Sequence, residues 1–243
     1  MPLTRILIGL AALLRGPEAG RILWGVLDPN VVQFPFLSWL PRPPQLAVPM
    51  IIALWMVLAL AFTLGRRTRP AGTALAGLMA YTLLLDEQTY SNHLYLLVLL
   101  VGIVALAPNP SLLLRFQLTI VYGFSVLRKL TPVYLSGLVV AANLPPALHH
   151  WQRFEYMAPL AMASVFVETF LAFAFWSPRF RLAGWIVGIT LHVGCTLLLA
   201  PGFKVQLAVF SLEMIALYTA FGIPEALQRR WRRIPAAVPL SSV

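Results

Sequence analysis

The charges of this chain stand almost wholly outside a series of long apolar runs, and runs of that length admit few folds. A helix needs about 20 residues, each rising 1.5 Å, to cross ~30 Å of hydrocarbon. Residues 46–64 lie in a stretch without charge between Arg42 and Arg66. The run 70–85 is shorter and ends at Asp86-Glu87. Residues 92–107 follow, stopped by Pro108-Asn109-Pro110. Residues 111–129 contain only Arg115 before the closing Arg128-Lys129 pair. The runs 156–176, 182–199 and 205–221 each carry one acidic or histidine residue, Glu168, His192 and Glu213. These are seven spans. Residues 6–27 read as an eighth, with an interfacial amphipathic helix as the alternative because Arg15, Glu18 and Arg21 lie within it. Lipid offers no partner to an open sheet edge, so spans of this length must be helices. The expected fold is all-α, a polytopic transmembrane bundle of about eight spans forming a single domain over residues 1–243.

Composition agrees. Hydrophobic residues make up 60% of the 243 and charged ones 11%, against about 25% in soluble domains. Lys and Arg outnumber Asp and Glu by 18 to 8. The arginines cluster at run ends (Arg66, Arg67, Arg69; Arg179, Arg181; Arg229, Arg230, Arg232, Arg233), a pattern of cytoplasmic loops rather than of nucleic-acid binding. With Arg115 on the same side, eight spans leave both termini in the cytoplasm. Asp86, Glu87, Lys204 and His149-His150 then face outward, as do Arg42 and Arg153. The connection 131–155, rich in Pro and aromatics, is expected along the outer interface, and 234–243 as a flexible tail. Arg5 before a short apolar stretch resembles a secretory leader, but no small-x-small cleavage site follows and the segment reads as retained. The bias of Arg over Lys fits a GC-rich genome and a bacterial plasma membrane. Cys195 is single, so no intrachain disulfide is possible. His149 and His150 are adjacent and point to different faces, and no third ligand has metal spacing. No metal is expected.

Ionisable residues inside spans cost ~2.5–3.5 kcal/mol on insertion scales and mark function by default. His93 opens the 92–107 run beside Asn92, and Lys129 closes the next beside Arg128. Lys129 is one of two lysines among sixteen arginines. A desolvated lysine can lose its proton and act as a base, where arginine cannot. The bland alternative is a cation snorkelling from a helix end. Asn92 and His93 fall on the same side as Lys129, so one pocket can hold them. Glu168 and His192 fall at similar depth and can pair. Glu213 has Ser211 nearby in sequence and no evident partner.

Three segments carry a family resemblance. Ser91-Asn92-His93-Leu94-Tyr95-Leu96-Leu97 is similar to an Asn-His-x-Tyr-Leu helix start. The segment from Val121-Tyr122-Gly123 through Arg128-Lys129-Leu130 to Tyr134-Leu135-Ser136-Gly137 is similar to Tyr-x-x-Ala-Gly-x-x-Lys-Leu with a following Trp-x-x-Gly. Glu168, Pro178-Arg179-Phe180-Arg181, His192 and Gly202-Phe203 form the third series. In this order they resemble the horizontally transferred transmembrane (HTTM) family, which includes the vitamin K-dependent γ-glutamyl carboxylase. The resemblance implies that Lys129 deprotonates a hydroquinone, assisted by His93, with Asn92, Arg128, Tyr95, Glu168 and His192 as a supporting polar network. A quinone or hydroquinone is the implied cofactor. Two departures stand out. Thr131-Pro132-Val133-Tyr134 replaces the carboxylase's acidic and Trp continuation, and its substrate-gripping C-terminal domain does not follow, so peptide carboxylation is not expected. Two functions stay open: a quinone-dependent or redox-linked membrane enzyme, or a non-catalytic scaffold in a larger membrane complex. Membrane lipids are the expected surroundings, with a membrane or periplasmic protein as the candidate partner and no nucleic acid.

Overall fold

The computed structural model describes residues 2–198 and 204–221. The 229–233 arginine cluster, Gly202-Phe203 and the 234–243 tail lie outside the described residues. Each apolar run is helical: α1 (Pro2–Val26), α2 (Val48–Leu64), α3 (Thr68–Leu85), α4 (Asn92–Leu106) and α5 (Pro110–Lys129), then α8 (Phe154–Ala174), α9 (Arg181–Leu198) and α10 (Lys204–Thr219). The connection between α5 and α8 contains two short helices, α6 (Pro132–Leu135) and α7 (Leu138–Ala142), and a 3-10 turn at Pro146–Trp151. No strand occurs among the described residues.

The punctuation comes from ordinary chemistry. Ser91 accepts from the Leu94 amide at 3.1 Å and starts α4. Asn109 does the same for Leu112, with Pro110 at the first position of α5, where a missing N–H costs nothing. Gly65, at φ +77°, ends α2.

Three helical segments, Gln45–Leu64, Pro110–Lys129 and Glu155–Ala174, are long and apolar enough to cross a membrane. Asn92–Leu106, Arg181–Leu197 and Val205–Thr219 are apolar but shorter; all seven runs expected to span are helical, three of them at spanning length and apolarity. The outward surface is apolar: Leu46 is 81% exposed, Phe166 75% and Leu197 72%. Patches of this kind are unstable in water and ordinary in lipid.

The first helix is a packed member of the bundle, against the interfacial alternative. It lies on α2, α4 and α10, with Ile8, Ala11 and Ala12 fully buried. Glycines bring it close to α2. A Cβ on Gly9 would stand 2.0 Å from Thr63 Oγ1, and on Gly16 2.8 Å from Met56 Sδ. Small residues at such crossings let backbones approach where lipid gives no hydrophobic drive between helices. Trp55 Nε1 then donates to the Ala12 carbonyl across the same interface at 2.9 Å.

The ends of the bundle differ in charge. The chain start and the α2–α3, α4–α5 and α8–α9 connections share one end. It holds Arg5, Arg66, Arg67, Arg69, Arg115, Arg179 and Arg181, with no acidic side chain among the described residues. The other end mixes signs. There Asp86, fully buried, accepts from Arg42 Nη2 at 2.9 Å, from the Phe34 amide at 2.9 Å and from the Gln88 amide at 3.0 Å.

Candidate acid–base site

Helices α5 and α8 pack on each other and position the first group. Thr119 Oγ1 donates to the Ala172 carbonyl and accepts from Trp176 Nε1, both at 2.8 Å. Side chains on a helix lean toward its N-terminus, so Lys129, in the last turn of α5, is carried back toward the bundle. Its Nζ donates to Glu168 Oε1 at 2.5 Å. It also lies 5.3 Å from the centre of the Tyr134 ring. Thr131 caps α6 through the Tyr134 amide at 3.3 Å, and the Tyr134 hydroxyl meets Ser164 at 2.8 Å. The lysine side chain is 21% exposed and the glutamate 10%. Glu168 Oε2 is buried and has no hydrogen-bond partner among the described residues.

A second group lies deeper. The Tyr122 hydroxyl bonds His192 Nε2 at 2.9 Å and meets the Tyr218 hydroxyl in a short contact. Gly188 makes room for this, since a Cβ there would fall 2.6 Å from the Tyr218 ring. Phe175 stacks on that ring at 5.0 Å. The expected pairing of Glu168 with His192 is therefore replaced. Each has a closer partner on α5, Lys129 for the acid and Tyr122 for the imidazole.

His93 belongs to a third group. Its ring packs on Phe210 at 4.8 Å, and Phe210 packs on His192 at 5.2 Å. Beside it, Arg15 Nη2 donates to Ser91 Oγ at 3.1 Å and pairs with Glu18, which accepts from Gln206 Nε2 at 3.0 Å. A cavity with room for about one water lies against Arg15, Thr82, Thr89 and Leu94. Neither Lys129 nor His93 lines it. The contacts of the two residues expected in one pocket differ: His93 meets Phe210, and Lys129 meets Glu168. Asn92, Tyr95 and Arg128 are exposed, and Asn92 accepts from the Tyr90 hydroxyl at 3.2 Å.

The sequence reading missed Tyr122, Tyr218, Phe210 and the Arg15–Ser91 contact. Tyr122 stood inside a quoted motif, and an arginine within an apolar run was a signal for a buried partner.

Residues 1–112 match the HTTM domain family. The match bears out the family resemblance and covers α1 to α4 and the start of α5. Asn92, His93 and Tyr95 lie inside the HTTM-matched segment, while Lys129, Glu168 and His192 lie beyond it. No curated protein and no solved structure matches the chain. With apolar helices of spanning length, the HTTM match makes this a membrane protein in contact with lipid.

Proposed function

We propose that this HTTM-type protein is a membrane enzyme whose Lys129–Glu168 pair performs acid–base chemistry on a lipid-soluble hydroquinone. The observation that carries the reading is the second carboxylate oxygen of Glu168, buried without a partner beside the lysine ammonium. Proton transfer across the Lys129–Glu168 hydrogen bond leaves an amine and a neutral carboxylic acid with no change in net charge. The amine is then the base, and its proton-donating partner stays in place to receive charge back. Tyr134 supplies an aromatic wall against which a flat ring can lie. A hydroquinone supplies an acidic hydroxyl and reducing electrons when bound. Tyr122, His192 and Tyr218 form a hydrogen-bonded chain behind the pair.

The test is hydroquinone oxidation by dioxygen, followed with the purified chain and a short-chain naphthohydroquinone. Lys129→Arg keeps the charge and the Glu168 contact but removes the amine base. The rate is expected to fall by about 10²–10⁴, the usual worth of a positioned acid or base. Equal rates in both proteins overturn the reading. A stoichiometric membrane or periplasmic partner, together with normal cellular function of Lys129→Arg, supports the scaffold instead. The arginine-only end is proposed to face the cytoplasm of a bacterial plasma membrane, following the rule for basic loops.

A further inference from the structure

Five of the buried polar atoms without a hydrogen-bond partner among the described residues sit on three mutually packed helices, and apart from Arg5 Nε at the arginine-rich end of α1 they fall close together. The other four are Arg15 Nε on α1, His93 Nδ1 on α4 and both carboxylate oxygens of Glu213 on α10. Contacts tie these residues together. Arg15 bonds Ser91, two positions before His93. The His93 ring lies on Phe210, three positions before Glu213. Helices α1 and α10 run antiparallel, with Gln206 bonded to Glu18 at 3.0 Å and Thr219 to Thr4 at 2.9 Å. Gln206 and Glu213 are two turns apart, so they share the face toward α1. Interpolating between the two contacts puts Glu213 level with Leu10 and Ala11, just over one turn from Arg15.

Glu213 is 0% exposed. An ionised carboxylate without a donor is far more costly to bury than a neutral carboxyl, which loses only hydrogen bonds. The ionisable groups on the elements packed against α10 do not change this balance. From α1 come Arg15 and Glu18, with Arg5 and Arg21 toward its two ends; from α4 His93 and Tyr95; from α9 His192, Cys195 and Arg181; from α5 Tyr122, Arg115, Arg128 and Lys129, the last paired with Glu168; Tyr218 is on α10 itself. Arg115 stands at the arginine-rich end, over Phe221. Arg15 is the fixed positive charge nearest Glu213 in the helix register, and Glu18 already neutralises it.

We propose that Glu213 is a second proton-binding site of this bundle, separate from the Lys129–Glu168 pair. It holds an exchangeable proton at neutral pH, and the Gln206–Glu18–Arg15 chain leads to it from the mixed-charge end. The site does not depend on hydroquinone chemistry, so it stands or falls independently of the proposed activity.

Infrared spectra of the full chain in lipid nanodiscs, labelled with carboxyl-13C glutamate, test this. At neutral pH the labelled wild type is expected to show an isotope-shifted carboxylic acid C=O band that moves in D2O. The band is expected to persist in Glu168→Gln, which removes the other buried glutamate, and to vanish from that variant when Glu213→Gln is added. No such band in the wild type, no movement in D2O, loss in Glu168→Gln or persistence in the double variant each overturns the proposal. The wild type and Glu168→Gln carry the test if the double variant fails to fold.

Discussion

Charged side chains inside this bundle are handled individually, and the differences decide what each can do. Arg15 is paired one turn along its own helix with Glu18. Lys129 reaches across to a neighbouring helix for Glu168. Asp86 gathers an arginine and two backbone amides, which leaves it nothing to offer a ligand. It is accordingly a structural residue that anchors the 28–44 connection to the end of α3. Asp86→Ala leaves the Phe34 and Gln88 amides and one Arg42 donor without their acceptor. Losing one member of a buried pair costs about 3–5 kcal/mol; Arg42 is 23% exposed, which puts the expected loss at the low end. A fall in the unfolding temperature of the detergent-solubilised protein, smaller in Asp86→Asn, checks this.

At the scale of helices, packing between α1 and α2 depends on glycine where the backbones cross. Gly9→Ala brings a methyl group within 3.0 Å of the Thr63 backbone, which no side-chain rotation relieves. Overpacking of this kind costs about 1–3 kcal/mol. Gly77→Ala meets nothing within 4 Å and is expected to leave stability unchanged or raise it by up to about 1 kcal/mol through helix propensity. Thermal unfolding of the two variants side by side separates close approach from mere helix content. The contrast also shows what was legible in the sequence. The helices were, because charges and prolines punctuate apolar runs whatever their neighbours are. Lys129, Glu168 and His192 were legible as exceptions within such runs. Their partners were not. Whether His192 meets Glu168 or Tyr122 depends on the rotation of α9 about its axis, which the near-uniform apolarity of a span does not encode. The room made by Gly188 for Tyr218 is likewise a property of two helices together.

For the whole molecule, the asymmetry of charge between the two ends governs how it sits in a bilayer. Basic residues are retained on the cytoplasmic side during insertion, and the arginine-rich end carries no compensating acid among the described residues. In a Cys195→Ser background, Gln88→Cys is expected to react with a membrane-impermeant thiol reagent in intact cells, and Pro178→Cys only after lysis. The opposite pattern would reverse the proposed orientation.

The contact between α1 and α10 also bears on how the chain is made. Gln206 lies 188 positions beyond Glu18, so Arg15 and Glu18 enter the membrane long before the residue that completes their surroundings has been synthesised. Until α10 arrives, the Arg15–Glu18 pair is covered by α2 and, later, by the segment around Ser91, with the side toward α10 still open. Helix α1 therefore gains its full set of neighbours only after the rest of the described bundle has been made.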